Sequence, residues 1–426
     1  APRHLMNPDD AIFKRIEQCL LCGSIRLQDV IDLGHSPLAD QLLRPADLGR
    51  PEHRVPLTVT FCPDCSLLQL RETVRPELLF NERYPYHSSV SPSLRSHFEA
   101  YANRLIPSLP AAAFVVEAGS NDGCLLKHFA AAGARCLGID PAQGPDSVAR
   151  RAGIPTQRAF FGEALAREIR QAHGPCDLFL ANNVLAHVAD LHGFVRGMGL
   201  LLNDGGTAVL EVPHVVPLIE GLEFDTVYHQ HLCYFSLASL DTLFSRHGLA
   251  LCDAEPLPVN GGSLRLTIRR AGEPSRRIIL QIEDETARGA LGSAYYRDFA
   301  KRVGALRERL LDALASCRAS GSIAAYGAAA KACTLLHYCG IDRNLIDYVV
   351  DLNPHKHGLF MPGNRLPILP VERLRENPPA FLLILAWNLA EEIMAQLADL
   401  AAAGTRFIIP IPGPRILTRR QGDDPA

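Results

Sequence analysis

The stretch FVVEAGSNDGCLLKHFAAAG, residues 114–133, runs from unbroken apolar chain into a glycine turn and then into helix-forming sequence. FVVEA is short and apolar and reads as a buried strand. DGCLLKHFAAAG reads as the helix after it. Outward from here the pattern repeats. RCLGID is a second strand ending at Asp140, and CDLFLAN and TAVLEVP are two more, with helical stretches between them. Such alternation argues for an open parallel sheet with helices on both faces. Ligands of such sheets sit at the carboxyl ends of the strands, near the switch point.

The first turn, Glu117–Gly123, lies at that place. Gly119 allows a tight turn that brings backbone N–H groups close to a ligand. The N-terminus of the following helix suits an anionic group such as a carboxylate. Asp140 follows about 20 residues on, where a carboxylate can accept both ribose hydroxyls of an adenosine. The glycine spacing is GxxxG rather than the GxGxxG of dinucleotide sites. No pyrophosphate has to be cradled, which favours S-adenosylmethionine over NAD. A tight turn with a surface Asp is the plain alternative. Asn182 and Asn183, at the end of CDLFLAN, either bond the ligand or cap the next helix. His187, a few residues on, is packed or catalytic.

At 426 residues the chain has room for two or three domains, each with its own core. A net charge of −3 and the lack of a Lys/Arg run argue against nucleic acid or an anionic membrane as partner. No apolar segment approaches the roughly 20 residues that span a bilayer, and no charged leader precedes an apolar run. The chain opens APRHL; Met6 reads as a start, and residues 1–5 are set aside.

Of twelve cysteines, four form a pattern: Cys19 and Cys22 in CLLC, Cys62 and Cys65 in CPDC. Two-residue spacing turns both thiolates of a knuckle to one ion, and two knuckles complete a tetrahedral S4 site for Zn²⁺. Two disulfides, or plain thiols, are the alternatives. A closed S4 site has no open position, so no catalysis is expected there. The long intervening segment, with DLGHSPLADQLL and RVPLTVTFC, reads as a small folded insertion. Scattered cysteines such as Cys124, Cys136, Cys252 and Cys339 read as core residues in a reducing cytoplasm.

Beyond the central pattern, residues 275–321 have helical composition without internal Pro, with Gly289, Gly292 and Gly304 as soft spots. SIAAYGAAAK, LIDYVVD, FLLILAW and RFIIPIP then read as a second set of buried strands. Lys331, ending YGAAAK, can pair with a phosphate or be solvated. Arg265, in NGGSLR, poses the same choice. Trp387 and Asn388 end an apolar strand; the ring stacks on a base or finishes the core. In TVYHQHLCYF, His229 and His231 share a face if the segment is extended. Metal binding or plain packing of this pair are competing readings.

Together these pieces resemble the C-methyltransferases of nucleotide-linked deoxy-ketosugars, in order from Cys19 to about Pro412. The matching motifs are CxxC…CxxCxLLQL, YPYHSSVSPS, VVEAGSNDG, NNVLAHV, FDTVYHQHLCYF, NGGSLR, AAYGAAAKACTLL, DLNPHKHG and LAWNLAEEI. The resemblance implies an α/β chain in three parts: a zinc-binding lobe over 11–75 that closes over the sugar, a Rossmann-like class I methyltransferase domain over 76–258, and a Rossmann-like α/β domain over 259–415 that helps hold the nucleotide. It implies S-adenosylmethionine at Glu117, Gly119, Asn121, Asp122, Asp140 and Asn182. The sugar nucleotide, thymidine diphosphate by expectation, falls to Tyr84, His229, Arg265, Lys331 and Asn388. A cytoplasmic antibiotic-sugar enzyme, monomeric or weakly self-associating, is expected.

Methylating carbon needs a carbanion equivalent, and a neighbouring ketone supplies one as an enolate. The reaction requires a base, donors aimed at the enolate oxygen, and a methyl group held in line. The resemblance assigns the base to His231. It makes Tyr86, with Tyr84 as second choice, a donor, and Tyr228 and His187 further candidates. Gln230 departs from the family, whose motif is usually His-Glu-His. Glutamine keeps the hydrogen-bonding shape and loses the charge, which lowers the proton affinity of the base. A slower enzyme, another ketone substrate, or a non-catalytic binder of nucleotide sugars all fit that departure.

Overall fold

The computed structural model describes residues 12–418; Met6 and residues 1–5 lie outside them. The chain divides into two compact units, each discontinuous in sequence. The first holds the chain up to Asp29, Thr60–Val216 and Gln230–Tyr296; the second holds Val30–Val59, Pro217–His229 and the chain from Arg297.

The first unit is built on a seven-stranded sheet: β1 (Phe114–Ala118), β2 (Arg135–Ile139), β3 (Thr156–Gln157), β4 (Cys176–Asn182), β5 (Leu202–Pro213), β6 (Ala250–Leu257) and β7 (Ser263–Arg269). Their order is β6-β7-β5-β4-β1-β2-β3. β1 to β5 run parallel, and β7 lies antiparallel to both β5 and β6. All five residues of β1 are buried, which is why its sequence is apolar on both faces but for Glu117. The strand order reverses between β1 and β4, so the crevice beyond their carboxyl ends is the switch point of this sheet.

The helix expected from Asp122 forms only over Leu126–Ala131. Asn121 and Gly123 take left-handed backbone, at φ +50° and +75°, so the turn lasts longer than its apolar pattern suggests. Val115, Leu125, Phe129, Leu178, Leu180 and Val209 form the core on that face.

Arg265, expected to meet phosphate, is buried and paired inside the first unit. The register of β5 against β7 sets Glu211 opposite Arg265. The guanidinium donates through Nε and Nη2 to Glu211 Oε1 at 2.8 and 2.6 Å and lies 3.9 Å over the Tyr101 ring. His97 Nε2 is 3.0 Å from the same carboxylate oxygen. With Arg265 only 6% exposed, its charge is spent on Glu211.

Residues 275–321 break into Arg276–Ala287, Ser293–Tyr296 and Phe299–Ser320. The first break comes at Gly289, φ +78°; Gly304 lies inside the last helix. The second unit contains a six-stranded sheet of β8 (Ile323–Tyr326), β9 (Val349–Asp351), β10 (Ile368–Pro370), β11 (Phe381–Ile384), β12 (Arg406–Ile409) and β13 (Arg415–Leu417). The order is β10-β9-β8-β11-β12-β13, parallel except for β13. The segment between the cysteine pairs contributes Val30–Val59 to this unit. Leu43 bridges Phe360, and Glu52 accepts the Gly363 N–H at 2.6 Å.

The two sheets share one device. Asp140 accepts N–H groups of Asn121 and Ala142 at 2.9 and 2.8 Å. Asp351 accepts those of Ala328 and Asn353 at 2.7 and 2.8 Å. In each, a carboxylate after the second strand ties down the turn after the first.

Removing one partner of a buried ion pair strands the other charge. Arg265→Met is therefore expected to cost about 3–5 kcal/mol in urea unfolding, and adding Glu211→Leu to recover most of it.

Candidate functional site

The turn after β1 spends its backbone donors internally. Gly119 and Ser120 N–H both donate to Ile139 C=O, at 2.7 and 3.1 Å, and Asn121 N–H donates to Asp140. The expectation that these N–H groups reach a ligand is thereby corrected. Gly119, at φ +65°, stands so close to the loop after β4 that a Cβ would come within 2.3 Å of Val184 Cγ2. Acceptors line the crevice instead. Among the described residues, Glu117 Oε2, Asp122 Oδ1 and Asn182 Oδ1 are buried without a hydrogen-bond partner. Asn182 Nδ2 donates to Glu117 Oε1 at 3.4 Å.

Glu117 is 3% exposed. Burial, reinforced by Asp140 and Asp122, pushes its carboxyl up to about 8, against the opposing pull of the Asn182 bond. Burial likewise lifts Asp140 to about 6, although its two backbone N–H bonds pull the other way. Orphaned acceptors and reluctant carboxyls suit a ligand bearing positive charge and hydroxyls. An α-ammonium, a sulfonium and a ribose answer that description, so the residues fit S-adenosylmethionine.

The loop leaving β4 carries His187, and its ring is 4.9 Å from that of His231. Phe80 stacks on the other face of the array, 5.6 Å from His187 at 16°. Phe80 also meets Tyr84 at 5.4 Å and Phe160 at 6.4 Å. Tyr84 is 6.4 Å from Tyr86, and His231 is 6.2 Å from Tyr234. The unit thus brings Tyr84, Tyr86, His187 and His231 into one aromatic array. His187 Nε2 is buried without a partner, and burial holds its pKa down at about 4. Gln230 is 3% exposed with its amide nitrogen unsatisfied. Phe80 was missed by sequence reasoning. It lies outside any periodic element, and only the His187 stack reveals it.

Tyr228 and His229 belong to the second unit. His229 Nε2 donates to Pro56 C=O at 3.1 Å, and burial holds its pKa at about 4. Lys331 and Asn388 meet at the switch point between β8 and β11. Lys331 Nζ donates to Asn388 Oδ1 at 2.8 Å and sits 3.8 Å over Trp387. Asp225 accepts the Trp387 indole N–H at 2.7 Å. The charges of Asp225 and Glu223 pull on Lys331 while burial lowers its pKa.

The four cysteines converge. Cys19 and Cys65 Sγ are 3.4 Å apart, Cys22 and Cys62 Sγ 3.5 Å, and all four lie within 4.8 Å of one another. A Zn–S distance of about 2.3 Å in a tetrahedron sets sulfurs about 3.8 Å apart, so the cluster fits the ion. All twelve cysteines are free thiols, which removes the disulfide reading. Leu20 N–H donates to Gln69 Oε1 at 2.9 Å and His192 Nε2 to Leu21 C=O at 2.8 Å, steadying the first knuckle.

A methyl-donor crevice at a switch point, joined to a four-cysteine zinc site, defines an S-adenosylmethionine-dependent methyltransferase with a zinc-bearing lobe. Family models match in the same order: a putative zinc binding domain over 19–80, a methyltransferase domain over 94–254 and a C-methyltransferase C-terminal domain over 258–412. The C-methyltransferase NovU of Streptomyces niveus is 35% identical over 413 residues, 96% of this chain and 98% of that protein. The chain belongs to this family of C-methyltransferases. A ubiquinone biosynthesis O-methyltransferase of Azorhizobium caulinodans is 32% identical over 100 residues, 22% of this chain and 38% of that protein. Magnesium protoporphyrin IX methyltransferase from Synechocystis, solved with bound SAM, aligns with 42% of this chain and 79% of its own at TM-score 0.32 and 16% identity. Among the described residues no helix is long and apolar enough to cross a membrane.

Two outcomes are expected. Metal analysis should find one zinc per chain, and Cys62→Ser should lose it and lower the melting temperature. A cationic ligand favours ionised Glu117, so S-adenosylmethionine should bind more tightly as pH rises towards 8, with proton release at pH 7. Calorimetry in two buffers of different ionisation enthalpy reads that release, and Glu117→Gln should abolish it. Without ligand the sign reverses: the stability carried by neutral Glu117 is full below about 4.5 and lost as pH rises through about 8.

Proposed function

We propose that this C-methyltransferase removes the C3 proton of a nucleotide-linked 4-keto-deoxysugar and methylates the enolate so formed. S-adenosylmethionine supplies an electrophilic methyl group that needs no metal for its transfer. The observation that carries the reading is the His187–His231 pair, 4.9 Å between ring centres. His187 stands on the loop that follows Asn182, whose amide meets Glu117. A base and a methyl-donor crevice on one sheet edge are what carbon methylation needs.

His231 is the base. His187, held neutral by burial, lets His231 take up a proton without meeting a like charge. Phe80 fixes the His187 ring by stacking, so the pair is set before substrate arrives. Tyr86, 43% exposed, offers a phenol to the enolate oxygen, with Tyr84 next to it. The unsatisfied amide nitrogen of Gln230 is a further donor of that kind, a role that a carboxylate could not fill. Tyr228, three residues before His231, is a further donor candidate. The nucleotide is expected to be thymidine diphosphate.

The alternative, a nucleotide-sugar binder without catalysis, rests on Gln230. Incubation with ¹³C-methyl-labelled S-adenosylmethionine and a thymidine diphosphate 4-keto-6-deoxysugar separates the two. The label should appear on the sugar carbon next to the ketone. His231→Asn should lower kcat by about 10²–10⁴ while S-adenosylmethionine binding stays the same. Full activity in that variant removes His231 as base, and no transfer in the wild type favours the binder.

A further inference from the structure

Two residues of the cofactor turn spend their side chains on a different part of the chain. Asn121 Oδ1 accepts Ser88 N–H at 2.8 Å, and its Nδ2 donates to Tyr86 C=O at 3.1 Å. Asp122 Oδ2 accepts Ser89 N–H at 3.0 Å. Both side chains are buried, at 7% and 5% exposure. Asn121 also donates its own N–H to Asp140, the carboxylate placed for a ribose. A continuous path of hydrogen bonds thus runs from Asp140 through Asn121 to the backbone that carries Tyr86.

The held segment has little core of its own. Glu82, Arg83 and Tyr86 are exposed, and between Tyr84 and Ser89 only Pro85 and Ser88 are buried. On its far side Arg95 donates to the carbonyls of Ser89 and Val90. On its near side the Tyr84 carbonyl lies beside Gly144, in the helix after Asp140. Beside the ring contacts of Tyr84 with Phe80 and Tyr86, the segment is therefore tied by polar bonds to groups around the cofactor crevice.

We propose that Asn121 and Asp122 are positioning residues that hang the Tyr84–Tyr86 segment from the cofactor turn, so that filling the crevice orders the tyrosines and tightens binding of the ketosugar. This rests on the reading of those tyrosines given under Proposed function. The ordering cost is met once, by whichever ligand arrives first, and the coupling is reciprocal.

The test uses the full chain, with S-adenosylhomocysteine as cofactor probe and thymidine diphosphate glucose as sugar-nucleotide probe. Asn121→Gly tolerates the left-handed backbone and removes both side-chain bonds. Asn121→Asp keeps the bond from Ser88 and loses that to Tyr86. Amide exchange of the peptide containing Ser88 and Ser89 should slow about tenfold with S-adenosylhomocysteine in the wild type, less than about twofold in Asn121→Gly, and to an intermediate degree in Asn121→Asp. Calorimetry should show about tenfold tighter sugar-nucleotide binding with the cofactor probe present, and about twofold or less in Asn121→Gly. S-adenosylhomocysteine itself should bind Asn121→Gly within about threefold of wild type. A tenfold loss there would make Asn121 a cofactor ligand and overturn the proposal, as would wild-type exchange indifferent to the probe. Slowed exchange in a wild type that binds no sugar nucleotide keeps the suspension and sinks the ketosugar reading.

Discussion

Three consecutive N–H groups, from Gly119, Ser120 and Asn121, converge on Ile139 C=O and the Asp140 carboxylate. This closure of the first turn onto the end of the second strand is the constraint on which the rest of the first unit depends. It needs left-handed backbone at Gly119 and Asn121, and room for Val184 where a side chain on residue 119 would otherwise stand. With the donors used up, what remains facing the crevice is a set of acceptors. The electrostatic character of the site, receptive to cations, then comes from the side-chain acceptors of Glu117, Asp122 and Asn182 that this backbone closure leaves unopposed.

Desolvation then sets the protonation states. Glu117 is too buried to ionise readily, and its neighbours Asp140 and Asp122 make ionisation harder. A cationic methyl donor relieves that cost, so the site is poised to hold a sulfonium more firmly than a neutral analogue. His187 shows the converse: burial keeps an imidazole uncharged beside the ring assigned as base. The same physics acts on an acid at the end of one central strand and on an imidazole in the loop after its neighbour, and holds both uncharged.

Much of this was legible in the sequence. Short apolar runs marked four strands of each sheet, because parallel strands covered on both faces leave no polar alternation to confuse the reading. The cysteine spacing gave the four metal ligands, since two knuckles need little context. What the sequence hid were contacts between distant residues. Arg265 looked available for phosphate because nothing local reveals that β-pairing sets it against Glu211. Lys331 followed a strand and opened a helix as an anion site does; that its ammonium also meets Asn388 and the Trp387 ring is a contact that the sequence did not reveal. Asn121 and Asp122 sat where cofactor ligands sit, while their side chains hold Ser88, Ser89 and Tyr86. Phe80 gave no signal, because stacking on His187 arises only once the chain has folded.

If an imidazole of the first unit opens the reaction by taking the proton beside the ketone, that proton should leave even when no methyl group can follow. Solvent exchange at C3 of a thymidine diphosphate 4-keto-6-deoxysugar in D₂O, watched by NMR with S-adenosylhomocysteine bound, measures this step alone. Deuterium should enter at C3 with the wild type and fail to enter with His231→Asn. Exchange at an undiminished rate in that variant, or a wild type that never exchanges yet still methylates carbon, would rule the imidazole out as the base.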